Sequence, residues 1–141
     1  LVHRIIHWYI TGELEEESVD DALTGYFEAW RRFVSDTGFV PTETEKPLGS
    51  LLHRFCGTPD HIGMLNGREV VIDVKSGAVF PATQLQLAAY EILAGRKLAR
   101  FALCLKDDGK YSLKEFKDRQ DGALFIAALA CWWWQRNNKL R

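Results

Sequence analysis

Asp60, Asp73 and Lys75 have the clearest chemical potential in this sequence, and they lie on either side of a predicted turn. The turn is Asn66-Gly67, the strongest short signal for a two-residue β-hairpin loop. If these two residues form the loop, Asp60 lies opposite Asp73 with Cβ atoms about 4.5–5.5 Å apart. Two carboxylates at that separation repel each other unless a cation lies between them. The spacing therefore predicts a cation site, which a longer loop would remove by shifting the register.

Lys75 shares a strand face with Asp73, because side chains two residues apart point to the same side of a strand. Val70, Ile72 and Val74 are predicted to point to the opposite side, into a core. Carboxylate oxygens of this kind are ligands that Mg²⁺ and Mn²⁺ prefer. The alternative is a solvated strand edge whose surface charges are unrelated.

Two further pairs of polar residues have helical i, i+4 spacing. His3 and His7 share a helix face and have a spacing that can bind a metal, although such a pair is also common on ordinary surfaces. Gln86 and Tyr90 can both point toward the open end of the hairpin. They either hold the catalytic strand or a phosphate, or form the polar face of a helix.

Candidate contacts to a phosphate backbone lie around these pairs. Ser76 is a small residue at which a phosphate could approach the main chain. Arg96, Lys97 and Arg100 form the best basic cluster, although they could simply complement the end of the preceding helix. We predict that all four contact the phosphate backbone of a nucleic acid.

Hydrophobic periodicity predicts the elements that must position these side chains. The order of helix, helix, strands, helix, two strands and helix indicates one α/β or α+β domain with a mixed sheet. A capping box of Ser18 and Asp21 is predicted to open the second helix, which ends at Gly38. The other predicted helices cover residues 2–10, 82–94 and 120–138, and the predicted strands cover residues 40–46, 51–56, 60–65, 68–75, 101–105 and 111–116.

Composition limits the class of protein. The 141 residues are 47% hydrophobic and 26% charged, which is typical of one folded domain. A net charge of −1 excludes nucleic-acid binding by bulk charge, so any such contact must be local. The three cysteines form no CxxC pair, so we expect no iron–sulfur cluster, and we expect them to be small buried residues in a reducing cytoplasm.

Neither end of the chain predicts a membrane segment. The longest apolar run, residues 123–134, is shorter than the roughly 18–20 residues that cross a bilayer. We expect it to be a helix whose tryptophans, at positions 132–134, are mostly buried. Leu1 already stands inside a predicted helix, so we expect a short N-terminal segment to precede it.

The ordered motifs resemble those of a known superfamily. GTPD at residues 57–60, VIDVKSG at 71–77 and QLAAY at 86–90, preceded by a helix-borne histidine, resemble the PD-(D/E)XK nucleases. The resemblance is greatest to the RecB-like exonuclease branch, which includes CRISPR-associated and phage recombination nucleases. It covers residues 1–95, and the ordered set is more specific than any one motif.

The resemblance implies a role for each matching residue. Asp60, Asp73, His3 and the backbone carbonyl of Val74 would bind the metal, and Lys75 would position the attacking water and the phosphate. Gln86 and Tyr90 would support activity without binding metal. Glu45 occupies a strand position at which the family often has an acidic residue near the metal, although an exposed strand glutamate is also ordinary.

The expected protein is therefore a single nuclease domain over residues 1–141 with a restriction-endonuclease-like core. We expect a DNA exonuclease that uses one or two Mg²⁺ or Mn²⁺ ions, in the cytoplasm of a prokaryotic or phage-infected cell, in recombination or repair. Two alternatives remain: a catalytically inactive module that binds DNA or assists assembly, and a small α+β protein whose charged hairpin is incidental.

Overall fold

The computed structural model describes residues 1–139. Over these residues, two helices are followed by five strands, a third helix, two more strands and a fourth helix, with a short 3₁₀ turn at Glu16–Ser18. The helices are α1 (Val2–Thr11), α2 (Asp21–Thr37), α3 (Ala82–Ala94) and α4 (Gln120–Asn137). The strands are β1 (Val40–Thr44), β2 (Leu48–Ser50), β3 (Phe55–Gly57), β4 (His61–Leu65), β5 (Arg68–Lys75), β6 (Ala99–Leu105) and β7 (Tyr111–Phe116).

The main sheet is mixed, as predicted. Its five strands lie in the order β1-β4-β5-β6-β7. β5 and β6 are parallel, whereas the other neighbouring strands are antiparallel. Parallel neighbours need a long crossover, and α3 supplies it. β2 and β3 form a separate two-stranded hairpin.

The β4–β5 hairpin has the predicted register. Leu65 pairs with Arg68, so Asn66 and Gly67 are the two loop residues. Both have positive φ, at 51° and 76°. This left-handed geometry matches the twist of the flanking strands and favours asparagine and glycine. The pairing on which the cation site depends is therefore set by a local turn.

The two faces of β5 contact different helices. Val70, Ile72 and Val74 belong to a core cluster with Trp30 and Phe33 of α2. Val71, on the opposite face, packs with Leu87 of α3 in a second cluster. Because both faces are covered, β5 is nearly continuously apolar from Val70 to Val74, and Asp73 and Lys75 lie at the end that leads toward α3.

Several predicted boundaries are wrong, and two of them are informative. Helix α2 has Asp20 as its N-cap, whose side chain accepts a hydrogen bond from Ala22, whereas Ser18 ends the 3₁₀ turn. No strand spans residues 51–56, because positions 51–54 form the turn between β2 and β3. Leu51 there is 99% exposed. Leu51 and Leu52 are apolar, as strand residues often are, but at the tip of this hairpin they pair with no other strand.

The terminal helix is exposed, contrary to the prediction that its tryptophans are mostly buried. Trp132 and Trp134 are 49% and 59% exposed. α4 packs mainly on α3, so one side of it meets the protein and the rest remains open. Cys56 and Cys131 are also exposed, which corrects the expectation of buried cysteines. Within residues 1–139, no helix has the length and apolar character needed to cross a bilayer.

Candidate functional site

The two predicted carboxylates lie at the end of the β4–β5 hairpin farthest from its turn. His61, the first residue of β4, pairs with Ile72, and continuing this register places Asp60 opposite Asp73. Asp60 Oδ2 accepts a hydrogen bond of 2.7 Å from the Val74 N–H, which fixes its side chain against β5. Asp73 is only 3% exposed. The structure therefore brings both carboxylates to one side of β5.

The environments of the two carboxyl groups shift their pKa values in opposite directions. Burial, followed by repulsion from Asp60, raises the pKa of Asp73 even though the Lys75 ammonium opposes the shift. Burial also raises the pKa of Asp60 more than any other single effect does. The hydrogen bonds from His3 and the Val74 N–H together outweigh that burial and lower the pKa of Asp60. A buried pair of unequal acids is typical of a functional site.

Lys75 connects the carboxylates to helix α3. Its Nζ lies 2.8 Å from Asp73 Oδ2 and donates a hydrogen bond of 3.4 Å to Gln86 Oε1. Gln86 Nε2 in turn donates to the Tyr90 hydroxyl at 2.9 Å. Burial lowers the pKa of Lys75, but its hydrogen bond to Asp73 and the acidic charges raise it further, so the ammonium stays charged. The i, i+4 pair on α3 thus holds the amine in place.

His3 on α1 reaches the same point from the other side. Its Nε2 lies 2.8 Å from the carbonyl oxygen of Val74 and 3.3 Å from Asp60 Oδ2. A carbonyl can only accept, so Nε2 carries the proton in this arrangement. The hydrogen bond to Asp60 is the main reason that the pKa of His3 is raised. The structure therefore brings His3 to the carboxylates.

The donor set suits a hard divalent cation in part. Asp73 Oδ2 is buried, and the Lys75 ammonium lies 2.8 Å from it. Asp60 and the Val74 carbonyl offer further oxygen donors, which Mg²⁺ and Mn²⁺ prefer. His3 could bind only after its Nε2 gives up a proton. No group of three or more His, Cys, Asp or Glu side chains within the described chain is arranged as a metal cluster.

Glu45 flanks the site through its backbone. Its N–H donates a hydrogen bond of 3.0 Å to the Asp60 carbonyl, and its carboxylate lies 3.4 Å from Nδ1 of His7. His61 is 2% exposed, and its ring packs at a tilt against that of Trp30 with the centroids 4.9 Å apart. Burial lowers the pKa of His61 to about 4, so its ring is neutral at physiological pH.

The prediction that Arg100 contacts DNA is wrong. Its side chain is 2% exposed and donates hydrogen bonds to Asp121 Oδ2 at 3.0 Å and to the Asp118 carbonyl at 2.7 Å. Glu91 lies 3.7 Å from its Nε. Arg100 belongs to β6, which begins two residues earlier than predicted, and its alternation in the strand points it beneath the start of α4. The residue joins a strand to a helix.

Arg96 and Lys97 are not brought to the carboxylates. Arg96 forms a 2.6 Å ion pair with Glu69, near the turn end of β5, and Lys97 lies beside it in sequence. Glu69 and Lys75 are six residues apart in an extended strand, which is about 20 Å. Of the predicted DNA contacts, only Ser76 is adjacent to the site, where it follows Lys75 and is exposed.

Sequence reasoning missed the aromatic residues that lie near this site. The rings of Phe55 and Phe125 are 5.0 Å apart, and they line a hollow together with Tyr90. The two phenylalanines are 70 positions apart, so no spacing rule relates them. The only signal in the sequence was Phe55, an aromatic residue two positions before the GTPD motif.

No protein-family model matches the chain, and no curated protein matches its sequence. The fold is similar to that of an alkaline exonuclease from Laribacter hongkongensis, with a TM-score of 0.50 and 18% identity. The match covers 98% of this chain and 82% of that one. At this identity the similarity shows the fold alone. It confirms the predicted α/β class with a mixed central sheet flanked by helices.

Proposed function

We propose that this protein is a metal-dependent DNA nuclease of the PD-(D/E)XK superfamily, in its RecB-like branch. The observation that carries the proposal is the meeting of Asp60, Asp73 and Lys75 at one end of β5, where two carboxylates, one of them almost fully buried, share a single ammonium. The fold shared with an exonuclease supports the same chemistry, and we favour an exonuclease for that reason.

Asp60, Asp73, the Val74 carbonyl and a deprotonated His3 would hold one or two Mg²⁺ or Mn²⁺ ions. Such an ion supplies a bound water of lowered pKa and neutralises charge on the phosphate. The protein's own part is positional. Lys75 directs a fixed positive charge at a phosphate oxygen as negative charge develops there.

Gln86 and Tyr90 are positioning residues in this scheme. The 3.4 Å and 2.9 Å hydrogen bonds restrict the rotation of Lys75, whose long side chain would otherwise sample several rotamers. When a phosphate arrives, the ammonium can turn from Asp73 toward it without a new desolvation cost, because Lys75 already lies in a half-buried position. Ser76 leaves the main chain open to the phosphate.

A second candidate is a catalytically inactive module of the same fold that binds DNA or assists assembly. The 2.8 Å ion pair between Lys75 and Asp73 favours it, because the amine already partly neutralises the carboxylate that a cation would need. In that case the pair would be a permanent structural contact. Metal binding distinguishes the two functions.

The test uses end-labelled linear DNA and circular DNA with Mg²⁺ or Mn²⁺, on the wild type and on Asp73→Asn. We expect cleavage that needs a DNA end and that the substitution lowers by about 10³-fold or more, since it removes a metal ligand. Asp107→Asn, an exposed aspartate, is the matched control and should retain activity. Calorimetric titration with Mn²⁺ should show binding to the wild type only. Cleavage that survives Asp73→Asn would contradict the mechanism, and absence of both binding and cleavage would favour the inactive module.

A further inference from the structure

A hollow of about 390 Å³ lies between β3, α3 and α4, directly beside Tyr90. We call it the aromatic groove. Its walls include three aromatic rings, two leucines and one exposed alanine. These residues are Phe55, Ala82, Leu85, Tyr90, Leu93 and Phe125. The volume is in the range of pockets that hold small organic ligands, about 300–1,000 Å³.

The aromatic rings of the groove are held by packing. Phe55 and Phe125 lie 5.0 Å apart at an angle of 54°, so the hairpin and α4 support each other. Gly57 keeps Tyr90 accessible, because a Cβ at that position would lie 3.2 Å from the Tyr90 ring. Leu93 is largely buried, whereas Ala82 is exposed at the groove's edge. The groove therefore offers flat apolar surfaces without first rearranging.

The groove is continuous with the candidate catalytic residues. Gln86 and Tyr90 line it, and the same two side chains extend the hydrogen-bond chain to the Lys75 ammonium. No charged side chain lines the groove within the described part of the chain. The combination suits a ligand with an uncharged aromatic ring next to an anion. The anion would lie at Lys75 and the ring in the groove.

We propose that the aromatic groove binds one nucleobase of the DNA, that of the nucleotide next to the phosphate held at Lys75. The inference rests on the proposed nuclease function and adds a subsite to it. Bases stack on aromatic side chains with little sequence preference, because every base has a π face. The subsite accordingly selects unpaired ends, since a base must leave its partner to enter the groove.

The probe is deoxyadenosine 5′-monophosphate, compared with 2-deoxyribose 5-phosphate, which lacks the base. Both are titrated into protein with ¹³C-labelled methyl groups, with and without Mg²⁺, and the methyl shifts of Leu85, Ala89 and Leu93 are followed. We expect the nucleotide to shift these signals and to bind about 10-fold or more tightly than the sugar phosphate, as stacking predicts. Ala82→Trp fills the groove from an exposed position and should abolish the difference. Ala22→Trp, in the first turn of α2 and also exposed, is the control.

Each result separates the subsite from the nuclease. If DNA is cleaved but the nucleotide leaves the three methyl signals unchanged, or binds no better than the sugar phosphate, the subsite is overturned and the nuclease stands. If the nucleotide binds in the groove but Asp73→Asn leaves cleavage unaffected, the proposed mechanism fails while the subsite survives. A shift that persists in Ala82→Trp would show binding outside the groove and would also overturn the inference.

Discussion

Two acid–base pairs involve the neighbouring parallel strands β5 and β6, and they differ in the solvent access of the base and in their balance of charge. Arg100 on β6 makes two hydrogen bonds to the start of α4, and both it and Asp121 are almost fully buried. Lys75 on β5 is 29% exposed, and its ammonium lies 2.8 Å from Asp73 Oδ2. A second carboxylate, Asp60, adds repulsion.

The difference teaches how to separate a structural charge from a functional one. The Arg100 guanidinium is enclosed by acidic partners and is only 2% exposed, so a ligand cannot reach it, and its role is to join β6 to α4. Lys75 keeps solvent access beside two carboxylates, whose excess negative charge lets the group respond to a cation or a phosphate. Burial of the acid does not distinguish the two pairs, because Asp73 and Asp121 are 3% and 5% exposed.

The largest effect on stability should come from the buried pair of Arg100 and Asp121. Arg100→Met leaves Asp121 buried without its cation, which should lower the free energy of unfolding by about 3–5 kcal/mol. Urea denaturation measures it. Cleavage per folded molecule should remain near wild type at low temperature. A variant with wild-type stability would show that the pair is not structural, and the double variant Arg100→Met/Asp121→Leu should recover part of the loss.

The next effect concerns the link between Lys75 and α3. Gln86→Leu removes the acceptor of the Lys75 hydrogen bond while keeping the side-chain size, and it should lower kcat by about 10-fold with little change in KM. Gln86→Glu, which keeps the acceptor, should recover much of the rate. Gln84→Leu, the same change two positions earlier on α3 and outside the groove, is the control. A change in KM alone would place Gln86 in substrate binding instead.

Neutralising Asp73 should raise the stability of the fold at neutral pH, whereas removing the charge of Arg100 should lower it. Folding raises the pKa of Asp73, so its contribution to stability is present below the unfolded pKa and is lost as pH rises through the folded pKa. Asp73→Asn should therefore unfold at higher urea concentration than wild type at neutral pH, in the absence of metal. The difference should shrink as pH falls toward the ordinary aspartate pKa of about 4. Thermal or urea curves at several pH values measure it, and a variant less stable at neutral pH would contradict the repulsion.

The smallest effect is expected at the opposite end of β5. Arg96→Gln breaks an exposed ion pair with Glu69, which should cost less than about 1 kcal/mol and fall further with added salt. DNA affinity should be unchanged, because the residue is far from the carboxylates. Affinity measured by fluorescence anisotropy that drops several-fold would restore the prediction that this region contacts DNA.

Local signals predicted much of the site. The hairpin register followed from two loop residues, and α3 and β5 have the predicted bounds. The exposure of α4 could not be predicted, because an apolar helix on the surface has the same composition as a buried one. The start of β6 could not be predicted from the sequence either. Because the predicted strand began two residues too late, Arg100 was interpreted as a solvated residue at the end of a helix.

The sequence by itself determined that Asp60 opposes Asp73 and that Lys75 lies on the same face, because a two-residue turn fixes pairing through local backbone geometry. Tertiary structure alone decided which charged side chains remain accessible to a ligand. His3 reaches Val74 across 71 positions, and Arg100 is enclosed by residues from another helix. Contacts between distant segments depend on how the helices pack on the sheet, and no short-range pattern contains that information.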